Sequence, residues 1–514
     1  ERDRRLSSPI TRGRFGNLMR AHLFRNLLKG LWLGSALLLA GCNPLARPTP
    51  SPIETTPFVA GLQAAAQNDL ALAERLPYYQ LDLRIDLDAR EVRGRAQVSV
   101  PNPEDQPLND LFFRLYPNLL QYAGIMIVDS VAIDGEAAAF SYAANDTALQ
   151  MLLVEPLPPR QRVEVEIAYT LQVPQRESGY TLFGKSQGIL SLPVAYPVLA
   201  LRDGGAWKLD VAPALADAAF SDASLYRVTA TVPSGVTIVP SGFVLTTTAT
   251  TDGREVWQMA SGPAREFAML LSADYEAAST EAYGTLVTSY FLPQDRAAGL
   301  AALAYAAAAI RIYSDHYGPY PYTYLHLAEA PLTYRGQEYS GLNLLGIDLY
   351  REHRHSLEFL AAHEVAHQWW YGLVGNDPIR LPWLDEGLAE FSTFLYYQDR
   401  FGQGAAERLR ALRWEGPLAY ARQNGFEVKV SQAANAFTAV NYEIMVYAKA
   451  ALFYDALRTD LGAATFDQVM QEYVRRNRWD IVTAEHLLET IEAVAQRDLR
   501  PLYAEWILSG PAAE

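Results

Sequence analysis

From about Tyr78 to Tyr275 apolar and polar residues alternate, as in Tyr79-Gln-Leu-Asp-Leu-Arg-Ile-Asp-Leu-Asp88, Ala96-Gln-Val-Ser-Val100, Val163-Glu-Val-Glu-Ile167 and Tyr226-Arg-Val-Thr-Ala-Thr-Val232. Period two, bounded by Pro, Gly, Asn and Asp, marks strands with one face on a core and one in water. Residues 75–280 therefore read as a mostly antiparallel β domain. After Pro293 the period lengthens. An alanine-rich helix is expected over Asp295–Tyr317, stopped by Gly318-Pro319. Short strands follow at Leu325–Ala328 and around Gly341–Leu345. Helical patterns then dominate, over 357–372, 385–400, 404–423, 441–459, 464–476, 483–495 and 499–508. This second block, 281–514, makes the fold class α+β, and no repeat of solenoid length recurs.

Composition narrows the picture. A chain of 514 residues, half of them apolar and 20% charged, is a folded protein of about three domains at roughly 150 residues each. A net charge of −15 without a long basic run argues against nucleic acid as a partner. No obligate protein partner is evident either. One cysteine excludes an intrachain disulfide framework.

The N-terminus departs from the rest. Residues 1–41 hold eight basic and two acidic groups, then an uncharged, mostly apolar run of twelve, Gly30 to Gly41. Twelve residues are too few for a membrane-spanning helix, which needs about 20. The arrangement reads as a secretory signal, with Met19 offering a second start. The sole cysteine lies in Leu39-Ala40-Gly41-Cys42, which resembles the bacterial lipobox. That resemblance implies lipid attachment at Cys42 and an extracytoplasmic protein anchored to a bacterial membrane. Residues 42–74, with Pro44, Pro48, Pro50, Pro52 and Pro57, read as a tether.

Candidate chemistry sits in the 357–372 helix, at His363-Glu364-Val-Ala-His367. A separation of four places both imidazoles on one helical face, where they can share a metal, with Glu364 beside them to act on water rather than ligate. Zinc suits imidazole and carboxylate ligands, and a catalytic zinc takes three protein ligands and keeps one position open. After eighteen intervening residues comes Glu386, within Trp383-Leu-Asp-Glu-Gly-Leu-Ala-Glu390. His-Glu-x-x-His, eighteen residues and Glu, with Trp-Leu-Asp-Glu-Gly around that Glu and Gln368-Trp369 after the second histidine, resembles the gluzincin family of aminopeptidase N and leukotriene hydrolase.

The resemblance implies an N-terminal β-sandwich or saddle domain before a thermolysin-like, mainly helical catalytic domain. It implies one Zn²⁺ per chain on His363, His367 and Glu386, with Glu364 as general base. Val446-Tyr447-Ala-Lys449 matches the family's oxyanion-stabilising tyrosine, so Tyr447 is the candidate, with Tyr442 and Tyr454 as alternatives. The family's Gly-x-Met-Glu-Asn edge strand corresponds to Tyr334-Arg-Gly-Gln-Glu-Tyr-Ser-Gly-Leu342. It places Glu338 where a substrate's α-amine binds, with Gln337 for Met and Tyr339 for Asn. A bacterial subset with Glu-Tyr-Pro-Gly-Leu is closer, with Ser340 for proline. Glu390, one helical turn after Glu386, could hydrogen-bond a zinc-binding histidine. His353 and His355 read as a solvated approach to the helix.

The family's further C-terminal lid domain is expected to be absent or reduced, leaving a more open site. The expected function is a zinc metallopeptidase acting on peptides, in the first instance an aminopeptidase. A metallopeptidase without a strict free-amine requirement and a non-catalytic zinc-binding lipoprotein are the alternatives.

Overall fold

The computed structural model describes residues 52–178, 181–332 and 335–511. The signal region, the second start at Met19 and Cys42 lie outside the described residues. The alternating segments form an eight-stranded sheet in the spatial order 243–249, 254–264, 224–233, 78–86, 91–101, 162–172, 125–133 and 136–137. All neighbours run antiparallel except Tyr78–Asp86 and Ser224–Pro233, which pair in parallel with Tyr78 opposite Leu225. Two four-stranded sheets, one built on Ile189–Pro193 and Ala268–Ser272, the other on Leu108–Arg114 and Ala148–Leu157, and a small two-stranded one, Arg202–Asp203 with Ala206–Trp207, complete this half. The expected alternation is visible in burial: Leu81, Leu83, Ile85, Val163, Val165 and Ile167 are all buried. The fold is α+β, a multi-sheet β domain followed by a helical domain.

Two boundaries differ from those expected. Residues 56–74, expected within the tether, fall mostly in a short α-helix, Thr56–Val59, and a 3₁₀ segment, Ala64–Arg75. Phe58, Leu62, Ala66, Leu70 and Ala73 enter the same core as the helical domain, so their apolar spacing outweighs the proline content around them. At the other boundary, Glu276–Ala282 and Thr285–Phe291 form a hairpin at one edge of the second half's own five-stranded sheet, which therefore begins a few residues before 281.

That sheet positions the site. Its order is 276–282, 285–291, 324–330, 342–346 and 336–339. Gly336–Tyr339 is the far edge, paired antiparallel to Leu342–Gly346 with Glu338 opposite Asn343. One side of this strand has no neighbour in the sheet among the described residues. The alanine-rich helix Arg296–Tyr317 packs against the sheet and buries Ala302, Ala306, Ala309, Ile310 and Tyr313 in the core. The motif helix runs Arg354–Ala366 rather than to 372. The N–H groups of Trp369 and Trp370 both bond the Ala366 carbonyl, and Tyr371 adopts a left-handed φ of 85°, so the chain turns away just after His367.

Candidate metal centre and active site

The motif helix delivers His363, Glu364 and His367, and the next long helix, Trp383–Phe401, delivers Asp385 and Glu386 in its first turn. Carboxylates in that turn face the positive end of the helix dipole. Tyr447 lies in a π-helical stretch, Glu443–Lys449, inside a longer helical run. Such stretches are rare and cluster at functional sites.

Three donor atoms form a nearly equilateral triangle. His363 Nε2 and His367 Nε2 are 3.2 Å apart, and Glu386 Oε2 lies 3.2 Å from the first and 3.3 Å from the second. For ligands about 2.0–2.1 Å from a tetrahedral zinc, neighbouring donors are expected about 3.3 Å apart, so the triangle fits one face of that tetrahedron. Protonation agrees. His367 Nδ1 lies 3.2 Å from the Trp370 carbonyl, so Nδ1 carries a proton and Nε2 is the nitrogen turned toward His363 and Glu386. Two imidazole nitrogens facing each other at this distance, both buried, call for a cation between them.

Charge makes the same case. Burial raises the Glu364 carboxyl to about 8, with His367 opposing and Glu386 and Asp217 adding to the rise. Burial, and then Asp217, push Glu338 well above the usual carboxylate range. Burial raises Asp385 to about 8, seconded by Glu386. Burial also opposes the charge on Glu386, but hydrogen bonds from His363 and His367 hold its carboxyl well below its ordinary value. So many buried carboxyls around two imidazoles suit a divalent cation. The residues present therefore fit zinc.

Of the three tyrosines considered, only Tyr447 faces this set, its hydroxyl donating to Glu386 Oε1 at 2.6 Å. Tyr454 bonds the Leu384 carbonyl from behind, and Tyr442 stacks edge-on to Tyr447 with ring centroids 6.1 Å apart. Glu390 is buried behind His363, with Oε2 3.6 Å from His363 Nδ1. It is fixed there by Arg413, at 2.7 and 3.1 Å, and by the Trp414 indole N–H at 2.9 Å. His353 and His355 belong to neither metal-competent group found among the described residues.

Glu338 comes close to the motif helix. Donor atoms of Glu338, Glu364 and His367 lie within 4.8 Å of one another. Gln368 sets this approach: its amide oxygen accepts from Gly341 N–H at 2.8 Å and Tyr320 Oη at 3.1 Å. Its amide nitrogen donates to Tyr339 O at 2.9 Å and Asn343 Oδ1 at 2.8 Å. The motif helix is thereby locked to the edge hairpin. Gly336 lies so near Glu364 that a Cβ there would fall 2.0 Å from Oε1.

Sequence reasoning missed Asp217. It sits in a loop of the β domain and accepts a 2.9 Å hydrogen bond from the Gln337 amide, which also donates to Glu338 Oε2 at 3.1 Å. Burial, and then Glu386, raise its pKa. The loop is pinned beside it: Tyr116 Oη bonds both N–H and C=O of Phe220. No motif surrounds Asp217, so no pattern in the chain could have marked it.

The comparisons with known proteins agree with this geometry. Residues 306–506 match the peptidase family M1 domain. The chain is 24% identical over 243 residues to aminopeptidase M1-B of Oryza sativa subsp. japonica, covering 43% of this chain and 27% of that protein. It is 28% identical over 156 residues to aminopeptidase M1 of Arabidopsis thaliana, covering 29% and 17%. The matches thus span about a quarter or less of these curated relatives. Among solved structures, a mutant M1 zinc metallopeptidase from Deinococcus radiodurans superposes with a TM-score of 0.64 at 19% identity, covering 86% of this chain and 97% of that one. A second structure, of that protein's mutant bound to a Tyr-Ser-Ala substrate, gives 0.64 at 18% identity, covering 86% and 96%. At such identities the structures establish the shared two-domain fold.

Proposed function

We propose that this chain, which carries a peptidase family M1 domain across residues 306–506, is a zinc-dependent aminopeptidase that removes residues from the free N-terminus of peptides. The observation that carries this reading is the donor triangle of His363, His367 and Glu386 with Glu364 alongside and the carboxyls of Glu338 and Asp217 on the same side. A site that only held zinc for stability would need neither the extra base nor a carboxyl pair.

His363, His367 and Glu386 would hold the metal. When bound, zinc supplies Lewis-acid chemistry, polarising the scissile carbonyl and making a water acidic near neutral pH. Glu364 takes the proton of the attacking water and delivers it to the leaving amine. Tyr447, whose hydroxyl now rests on Glu386, donates to the oxyanion as it develops, a contact stronger in the transition state than in the ground state. Glu338 and Asp217 receive the substrate's α-ammonium. The free side of the strand Gly336–Tyr339 hydrogen-bonds the extended substrate backbone.

One observation favours a looser requirement for a free amine: the Gln337 amide already satisfies one oxygen of each carboxyl, and Glu338 is driven toward its neutral form. A free aminoacyl reporter compared with its N-acetylated counterpart separates the readings. A strong preference for the free amine, lost in Glu338→Gln, supports the aminopeptidase. Equal rates remove Glu338 from amine binding.

Localisation outside the cytoplasm, through lipid on Cys42, is part of the proposal and rests on Leu39-Ala-Gly-Cys42. Cys42→Ser should abolish incorporation of a labelled fatty acid; unchanged labelling would overturn it.

A further inference from the structure

The carboxyls of Asp217 and Glu338 come from different domains and meet over one nitrogen. Gln337 Nε2 donates to Asp217 Oδ1 at 2.9 Å and to Glu338 Oε2 at 3.1 Å. Both neighbours are acceptors, so the nitrogen rather than the oxygen of the amide faces them. Among the described residues this is the one hydrogen-bond donor that either carboxyl has. The two carboxyls otherwise repel one another. A primary amide brings two N–H groups to such a pair, and an α-ammonium brings three with a full positive charge. The Gln337 amide thus offers a donor pattern like that of the group this pair is proposed to bind, and it stands between the same oxygens.

Nothing in the strand requires this placement. Gln337 is joined to its sheet through the backbone, opposite Leu344, and its side chain is half-buried. Adjacent strand residues leave on opposite faces, so the amide meets the Glu338 carboxyl because the side chain curls back toward its neighbour. Rotation about the side-chain bonds withdraws it without breaking the ladder. Methionine, the residue at this place in the Gly-x-Met-Glu-Asn pattern, has nearly the same length and no N–H to offer.

We propose that the Gln337 side chain is an internal competitor for the substrate's α-ammonium: it occupies the Asp217–Glu338 pair, has to swing out before a free N-terminus settles there, and so weakens the preference for substrates with a free amine. It determines specificity by opposing an N-terminus rather than by holding one. This inference rests on the aminopeptidase reading above, in which Glu338 and Asp217 receive the ammonium. Hydrogen bonds to charged groups are among the stronger ones, and giving up the two from Gln337 is expected to weaken binding of a free amine about tenfold.

The test compares the zinc-loaded full chain with Gln337→Met, which has no donor, and Gln337→Asn, whose shorter side chain falls short of the pair. The substrates are a free aminoacyl reporter and its N-acetylated counterpart. Both variants should lower KM for the free amine about tenfold, while the acetylated reporter, with no ammonium to place, gains nothing; the ratio of the two kcat/KM values therefore rises about tenfold. Damage to the fold alone lowers both rates together and does not raise the ratio. Binding of Ala-Ala-Ala to Glu364→Gln, followed by calorimetry, should likewise tighten about tenfold when Gln337→Met is added. A ratio that stays put or falls in both variants means that the amide braces the pair instead of competing for it, and overturns the inference. The aminopeptidase reading survives that result if the wild type prefers the free amine and loses the preference in Glu338→Gln. Failure to hydrolyse any free aminoacyl reporter refutes that reading instead, and the calorimetric comparison still decides the inference.

Discussion

Adding one methyl group at Gly336 tests how closely the edge strand and the general base are fitted. A Cβ at this position would lie 2.0 Å from Glu364 Oε1, 2.2 Å from Cδ and 2.5 Å from Cγ, where ordinary contact begins at 3.4 Å. The conflict involves the stem of the side chain as well as its tip, so a rotation of the carboxylate alone does not relieve it. Restoring contact requires a displacement of about 1.4 Å at the oxygen, and a misplacement of about 1 Å in a reacting group can lower a rate about 10²-fold. Gly336→Ala is therefore expected to reduce kcat about a hundredfold, some 2.7 kcal/mol of barrier. None of the three proposed zinc ligands is touched, so zinc content should stay at one per chain. Steady-state kinetics on a free aminoacyl reporter, with metal analysis of the same preparation, provide the assay. Activity within threefold of wild type at full zinc occupancy would refute the placement of Glu364 as base beneath this strand.

Tyr447→Phe removes the hydroxyl that donates to Glu386, and should lower kcat about 10²–10³-fold with little change in zinc content; an unchanged kcat would exclude Tyr447 as oxyanion donor. Gln368→Leu strips partners from Gly341 N–H, Tyr339 C=O and Asn343 Oδ1, each costing about 1–3 kcal/mol when buried and unsatisfied. Its melting temperature should fall clearly, and an unchanged value would contradict the bracing role. His316 lies between Asp399, 3.1 Å from Nε2, and Asp467, 3.2 Å from Nδ1. Burial opposes its charge, but the two carboxylates outweigh it and raise the pKa to about 9. Because the folded value lies above the unfolded one, this stabilisation is complete below about pH 6.5 and is lost as pH rises through about 9. It amounts to something on the order of 3 kcal/mol. Melting curves from pH 6 to 10 should show that loss in wild type and not in His316→Gln; identical slopes would rule out the charged brace.

Much of this arrangement was legible in the chain because it is written in local periods. Alternation over 79–88 and 163–167 places strands correctly, and the spacing of His363, His367 and Glu386 marks the triangle, since helical geometry converts sequence distance into a shared face. What depends on meetings in space was not legible. Asp217 meets Gln337 across 120 residues, through a loop whose composition is unremarked, and only the packing of two domains brings them together. The motif helix stops at Ala366 because Tyr371 takes a left-handed turn, which a tyrosine does not advertise. The π-helical register that turns Tyr447, rather than Tyr442 or Tyr454, toward Glu386 follows from one altered hydrogen-bond spacing that leaves the apolar pattern intact. Phe58 and Leu62 were hidden among prolines, yet their side chains are fully part of the core.

Metal dependence bears most directly on the central claim. Purified protein should hydrolyse a peptide with a free N-terminus, lose that activity on dialysis against a chelator, and regain it when one equivalent of zinc per chain is returned. His363→Ala and Glu386→Ala should fail to regain it. Activity that survives removal of all metal, or a protein that holds one zinc per chain and cleaves no peptide, would contradict the account.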